Sequence, residues 1–253
     1  MKEALLMTCA GAGFMLLMTC LGAFTVFMFG RETKLSAQRF MSGFSGGVMI
    51  AASVWSMIIP ALEFSEGKRG VPIIAIGIIL GASAIAIADA LLCKYRFKGE
   101  NESLQKRNSL LMLAVTLHNI PEGMAVGLSF AIAATTGEYG AALTLALCIG
   151  IQNFPEGAAV SLPLRSEGLS KFKSFMYGQA SALVEPISAV IGVLLVLKIR
   201  SILPFLLSFA AGAMITVVAR ELLPESVKEN KNLSTLGLVG GFILMMILDV
   251  ALG

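Results

Sequence analysis

The sequence predicts an all-α polytopic membrane protein of eight transmembrane helices, with both termini outside. Of the 253 residues, 57% are hydrophobic and only 14% are charged. A soluble globular chain carries roughly 25% charged residues, so most of this surface faces something other than water. The mean hydropathy is +0.85. Apolar runs recur along the whole chain, most of them reaching the ~20 residues that a helix needs to span a bilayer.

Taken in order, the runs lie at 4–29, 40–62, 71–93, 109–136, 139–164, 174–197, 202–219 and 234–252. The first continues unbroken from Ala4 to Phe29, longer than the ~7–15-residue apolar region of a signal peptide. No clear cleavage site follows, so it reads as a spanning helix. The connections between runs are short and leave no room for a folded soluble domain, which makes 1–253 a single transmembrane domain. The longest connection, about 94–108 (KYRFKGENESLQKRN), reads as a polar cytoplasmic loop without a histidine cluster.

Orientation follows from the distribution of Lys and Arg, which concentrate on the cytoplasmic side. The connections after helices one, three, five and seven hold Arg31, Lys34 and Arg39; Lys94, Arg96, Lys98, Lys106 and Arg107; Arg165, Lys171 and Lys173; and Arg220, Lys228 and Lys231. The other side holds Lys2, Lys68, Arg69, Lys198 and Arg200. Fourteen of the 19 basic residues therefore fall on one side, which places both termini outside.

Composition also excludes some classes. A net charge of +3 without a long basic run does not suit nucleic acid. The lipid bilayer is the expected partner and the plasma membrane the expected location. Cys9, Cys20, Cys93 and Cys148 are scattered, form no CxxC pair and read as small apolar residues.

The sharpest feature is an internal repeat. His118-Asn119-Ile120-Pro121-Glu122-Gly123 lies in helix four, and Gln152-Asn153-Phe154-Pro155-Glu156-Gly157 lies 34 residues later in helix five. Helix six adds Glu185-Pro186. A carboxylate at bilayer depth costs roughly 2.5–3.5 kcal/mol on insertion scales. Glu122, Glu156 and Glu185 together then cost on the order of 8–10 kcal/mol without compensation. No Lys or Arg lies in these segments to supply it, so a bound cation is the simplest source.

Residues i and i+4 share a helix face. His118 therefore points with Glu122, and Gln152 with Glu156, while Asn119 and Asn153 lie beside them. Each proline removes a backbone hydrogen bond and frees a carbonyl one turn earlier. Broken helices at membrane depth are tolerated where they line a cavity and commonly form transporter binding sites. One imidazole with carboxylates and amides suits a borderline divalent ion (zinc, iron(II), manganese or cadmium) better than copper(I).

The paired HNxPEG and xNxPEG motifs resemble those of the ZIP (Zrt-/Irt-like protein) family of divalent metal transporters, compact bacterial type. The resemblance extends through GVMIAASVWSMIIPALE, ALVEP and AAGAMITVVARELLPES across all eight helices. It implies a binuclear centre. One metal would be held by His118, Glu122, Gln152, Glu156 and Met49; ordinary core packing is the alternative for Met49. The second would be held by Asn119, Asn153 and Glu185, with Glu122 and Glu156 bridging. Gln152 stands where many members have His, and Asn153 where some have Asp. Neutral amides in these places lower the expected preference for zinc. The resemblance also implies a homodimer.

The topology assigns Glu63, Asp249 and the deeper Ser56 to the outer mouth. It assigns Asp89 and Glu221 to the cytoplasmic mouth, with Glu225 just beyond. A chain of acids is what an ion path needs, although each acid singly also reads as a solvated helix end. The expected function is import of divalent metal as cargo. No catalytic residue and no catalytic cofactor is expected: HExxH is absent, and a single His leaves no pair for a catalytic zinc site. That argues against an intramembrane metalloenzyme and leaves a channel-like permease as the alternative. The orientation is directly testable. A Cys placed at Lys68 is expected to label from outside in sealed cells, and one at Lys106 to be protected; the reverse pattern would invert both mouths.

Overall fold

The computed structural model describes residues 2–28, 35–65, 70–96, 104–166, 168–226 and 231–252, all helices and short turns. The chain crosses back and forth in eight passages. They are α1 (Lys2–Met28); α2 (Leu35–Ala52) continuing through a π-helical turn (Ser53–Ile58) into α3 (Ile59–Phe64); α4 (Val71–Arg96); α5 (Leu104–Thr136); and α6 (Gly140–Ser166). Then come α7 (Lys171–Ala180), broken by a 3-10 turn (Ser181–Leu183) from α8 (Val184–Lys198); α9 (Leu203–Val217), joined by a second π turn (Val218–Leu222) to α10 (Leu223–Ser226); and α11 (Lys231–Leu252). Among the described residues, seven passages are long and apolar enough to cross a membrane, and α5 is the eighth. Side chains such as Leu6, Ile79, Ile191 and Val250 stand exposed around the outside, as a lipid-facing surface requires.

The spans agree with the sequence expectation to within a turn or so, except that the seventh runs past 219 to Ser226. The 94–108 connection does not: α4 runs on to Arg96 and α5 begins at Leu104, leaving 97–103 outside the described residues. The 33 residues of α5 extend about 50 Å at 1.5 Å per residue, longer than a bilayer core of ~30 Å.

Four helix pairs dominate the packing: α1 with α6, α5 with α8, α2 with α11, and α4 with α9. Exchanging the first three passages with the last three, and the fourth with the fifth, turns the first pair into the second and the third into the fourth. The glycines follow the same exchange. A methyl on Gly237 or Gly241 would strike the carbonyl of Phe40 or Phe44; one on Gly81 would strike that of Phe209, and one on Gly77 would strike the Ser208 hydroxyl and press on the carbonyl of Phe205. One on Gly47 would meet Leu238, and one on Gly212 would meet Ile78. These correspondences run at fixed intervals: Gly77, Gly81 and Asp89 recur 160 residues later as Gly237, Gly241 and Asp249, while Phe40, Phe44, Gly47 and Met49 recur 165 later as Phe205, Phe209, Gly212 and Met214. The related passages lie an odd number of crossings apart, so the repeat is inverted. Small residues are what let helix backbones approach in lipid.

Both π turns belong to this repeat, and both precede a proline. Pro60 and Pro224 clash with the carbonyls four residues earlier, which belong to Ser56 and Arg220. Widening the turn takes up that clash. The close helix contact is testable in adjacent positions: Gly241→Val is expected to cost at least the ~1–3 kcal/mol of core overpacking. Gly240→Val, where an added Cβ meets nothing within 4 Å, should be neutral. Melting of the purified protein in detergent measures both.

Candidate metal centre

The two repeated motifs face each other across α5 and α6, and the break in the sixth passage brings Glu185 to them. Gln152 Nε2 donates to Glu122 Oε1 at 3.0 Å. Asn153 Nδ2 donates to both oxygens of Glu185, at 2.9 Å each. Asn119 Nδ2 donates at 2.9 Å to the carbonyl of Ser181, the first residue of the 3-10 turn. Asn119 thus satisfies a backbone group that the helix break exposes. Val184 then starts α8, which puts Glu185 in its first turn, where the helix dipole favours an anion.

Four of these five side chains keep one oxygen buried with nothing to meet it. Asn119 Oδ1, Glu122 Oε2, Gln152 Oε1 and Asn153 Oδ1 are buried without a hydrogen-bond partner. Their residues are at most 2% exposed. Buried polar atoms in native structures are nearly always satisfied, and an unpaired one costs ~1–3 kcal/mol. Four acceptors and no donor is a pattern that a further protein hydroxyl would not match but a cation would. Glu156 is partly exposed and lies within electrostatic range of Glu122 and Glu185, so the three acids share one neighbourhood. Met49 is fully buried, and its carbonyl accepts from Ser53 Oγ at 2.7 Å.

The motif glycines allow this proximity. A methyl on Gly123 would strike the backbone of Glu185, and one on Gly157 the carbonyl of Thr19. Pro121 and Pro155 sit within continuous helices, so the outright break in helical register occurs only before Pro186. The His118 side chain lies outside the described residues. Among the described residues, no three His, Cys, Asp or Glu side chains form a ready-made metal cluster; the donor set gathered here is completed by amides.

The path residues separate into two groups. Ser56 Oγ donates to Asp249 Oδ1 at 2.8 Å, and both line a cavity of about 70 Å³ with Trp55, Ser129 and Glu138. Asp89 is held by Arg220, whose Nη2 and Nε lie 2.7 Å and 2.9 Å from Oδ2. Glu63 is exposed. The side chains of Glu221 and Glu225 lie outside the described residues. Sequence reasoning missed Glu138 and Arg220, as well as the Asn153–Glu185 and Asn119–Ser181 bonds. The 160-residue spacing would have paired Asp89 with Asp249.

The fold and this pocket define a class: a multi-pass membrane protein with a buried cluster of oxygen donors inside its helix bundle. The family model "ZIP Zinc transporter" matches residues 98–249. The chain is 33% identical to "Zinc transporter ZIP11" of Homo sapiens and 38% identical to "Zinc transporter GufA" of Myxococcus xanthus, each over 93% of this chain and 94% of the relative. It is 37% identical to "Zinc transporter ZIPB" of Bordetella bronchiseptica over 88% of this chain and 74% of that protein. The chain belongs to the ZIP family of zinc transporters.

The neutral donor at position 152 carries a selectivity prediction. Gln152→His replaces an amide oxygen with an imidazole, which favours zinc over harder ions. Competitive uptake of zinc, manganese and iron(II) is expected to shift toward zinc; an unaltered ranking would remove Gln152 from the selectivity filter.

Proposed function

We propose that this protein imports a divalent metal ion, zinc or one of cadmium, iron(II) and manganese, across the plasma membrane into the cytoplasm. Transport proceeds by alternating access to a mid-membrane binuclear centre. The observation that carries the reading is the set of four buried oxygens without partners beside three carboxylates. A divalent ion supplies the positive charge that no basic side chain provides there.

In this reading His118, Glu122, Gln152, Glu156 and Met49 hold the first ion. Asn119, Asn153 and Glu185 hold the second, and Glu122 and Glu156 bridge. The direction rests on the excess of Lys and Arg on one side, which makes Asp249, Ser56 and Glu63 the outer mouth and Asp89 and Glu221 the inner one. The relatives, known as zinc transporters, support zinc as one cargo, and the amides at 152 and 153 support a broader range.

The three acids are not equivalent in this scheme. Glu122→Gln or Glu156→Gln removes charge from both ion sites and is expected to abolish uptake while the protein still folds. Glu185→Gln should lower uptake partly and remove mainly one bound metal. Metal content of purified protein, measured beside initial uptake rates in proteoliposomes, decides between them. Full activity of Glu156→Gln, or complete loss with Glu185→Gln alone, would contradict the bridged arrangement.

A further inference from the structure

The cavity beside Ser56 is lined by acids and hydroxyls that the proposed centre does not use. Asp249 comes from α11, Ser56 from the π turn after α2, Ser129 from α5 and Glu138 from the connection between α5 and α6. Ser56 donates to Oδ1 of Asp249 and leaves Oδ2 unmet among the described residues. Glu138 is exposed, and among the described residues its carboxylate meets neither a hydrogen-bond donor nor a basic side chain. Ser129 is only 7% exposed and lines the same cavity. Its hydroxyl forgoes the bond to the carbonyl four residues back that Thr8 and Ser53 make, and no other partner among the described residues takes its place. A buried polar group left unsatisfied is rare, so this hydroxyl points to an occupant. Among the described residues, no Lys, Arg or His lines the cavity.

We propose that Glu138, Asp249 and Ser129 hold a partly hydrated divalent cation at the outer mouth, a capture site that selects by charge before the centre selects by element. The inference rests on the reading of Asp249 and Ser56 as that mouth, and adds Glu138 and Ser129 to it. Two carboxylates balance one divalent ion, whereas a monovalent ion leaves a negative charge in place. The cavity volume is about 70 Å³, and a water needs roughly 10–15 Å³, so the ion keeps part of its water. Carboxylate, hydroxyl and water are hard oxygen donors that accept manganese and calcium readily. The imidazole and thioether proposed for the centre have no counterpart here. Ser129 lies seven residues from Glu122 in α5, on the same helix face and about 10 Å along the axis. An ion held beside Ser129 therefore already stands above the centre. Gly137 shapes the rim: its φ of +82° turns the chain after α5. The Glu138 N–H then donates to Thr136 Oγ1 at 3.2 Å, which fixes the backbone of the acid at the cavity.

Manganese(II) binding to purified full-length protein, counted by electron paramagnetic resonance, tests this in a Glu122→Gln background that disables the centre. A manganese ion is expected to remain bound there. Glu138→Gln should weaken its binding at least several-fold, and Asp249→Asn likewise. Glu3→Gln removes the same charge from the same side of the membrane, outside the cavity, and should bind as the background does. Calcium should displace the ion, and sodium at equal ionic strength should not. In otherwise unaltered protein, Glu138→Gln should raise the apparent KM for uptake more than it lowers the maximal rate, because a capture step is lost. The inference is overturned if Glu138→Gln binds manganese as tightly as the background, if Glu3→Gln weakens it equally, or if sodium displaces it as calcium does. Glu138 is exposed on a connection between helices, so its substitution leaves folding intact. The readout is the loss of one ion on changing Glu138, so it holds even where Glu122→Gln leaves metal in the centre. Uptake that survives Glu122→Gln would count against the proposed centre alone.

Discussion

Four oxygen atoms without donors, sealed among membrane helices, are the constraint around which this structure is organised. Asn119, Glu122, Gln152 and Asn153 each spend one polar atom on a neighbour and leave an oxygen unpaired. In a water-filled site that would cost little. In a bilayer-buried one the penalty stands until positive charge arrives. The amide hydrogens are used to hold the carboxylates: Gln152 fixes Glu122, and Asn153 grips both oxygens of Glu185. The same residues that position the acids thus hold further oxygens ready.

Such a cluster requires three helices at close range with their backbones intact, and glycine supplies that range. Gly123 lets α5 meet α8 at Glu185, and Gly157 lets α6 meet α1 at Thr19. The pairs α2/α11 and α4/α9 use the same device at matched positions. Because the repeat is inverted, whatever is built at one face of the membrane has a counterpart at the other. Asp89 and Asp249 are such a pair, and each π segment is followed two residues later by a proline, Pro60 and Pro224.

Most of the fold and half of the site were legible in the sequence. Span positions follow from apolar run length, a signal that lipid imposes strongly. The motif acids stand out because nothing in their segments balances them. The partners of those acids were harder to read. Asn119 reaching Ser181 depends on a helix break that no glycine marks, and Asn153 reaching Glu185 crosses 32 residues of chain. The inverted repeat escaped notice because it survives in only a few glycines, two phenylalanines, a methionine and an aspartate per half. Arg220 was counted as a loop charge, since the apolar run stops at Thr216–Ala219 while the helix, widened into a π turn, continues through it. Helical periodicity fails at a π turn, because it assumes a constant angular step per residue.

Neutral amides at the centre follow from what a carrier must do. In the proposed centre the only formal charges are three carboxylates. One divalent ion leaves a single net negative charge and two leave a single net positive one, so neither occupancy is deeply trapped by charge alone. Replacing Asn153 with an acid would add a fourth negative charge beside Glu185 and deepen the trap for the second ion. Replacing Gln152 with imidazole would sharpen the ligand field for zinc without altering the charge balance. The amides at these two positions therefore act separately, Asn153 on how firmly an ion is held and Gln152 on which ion is favoured.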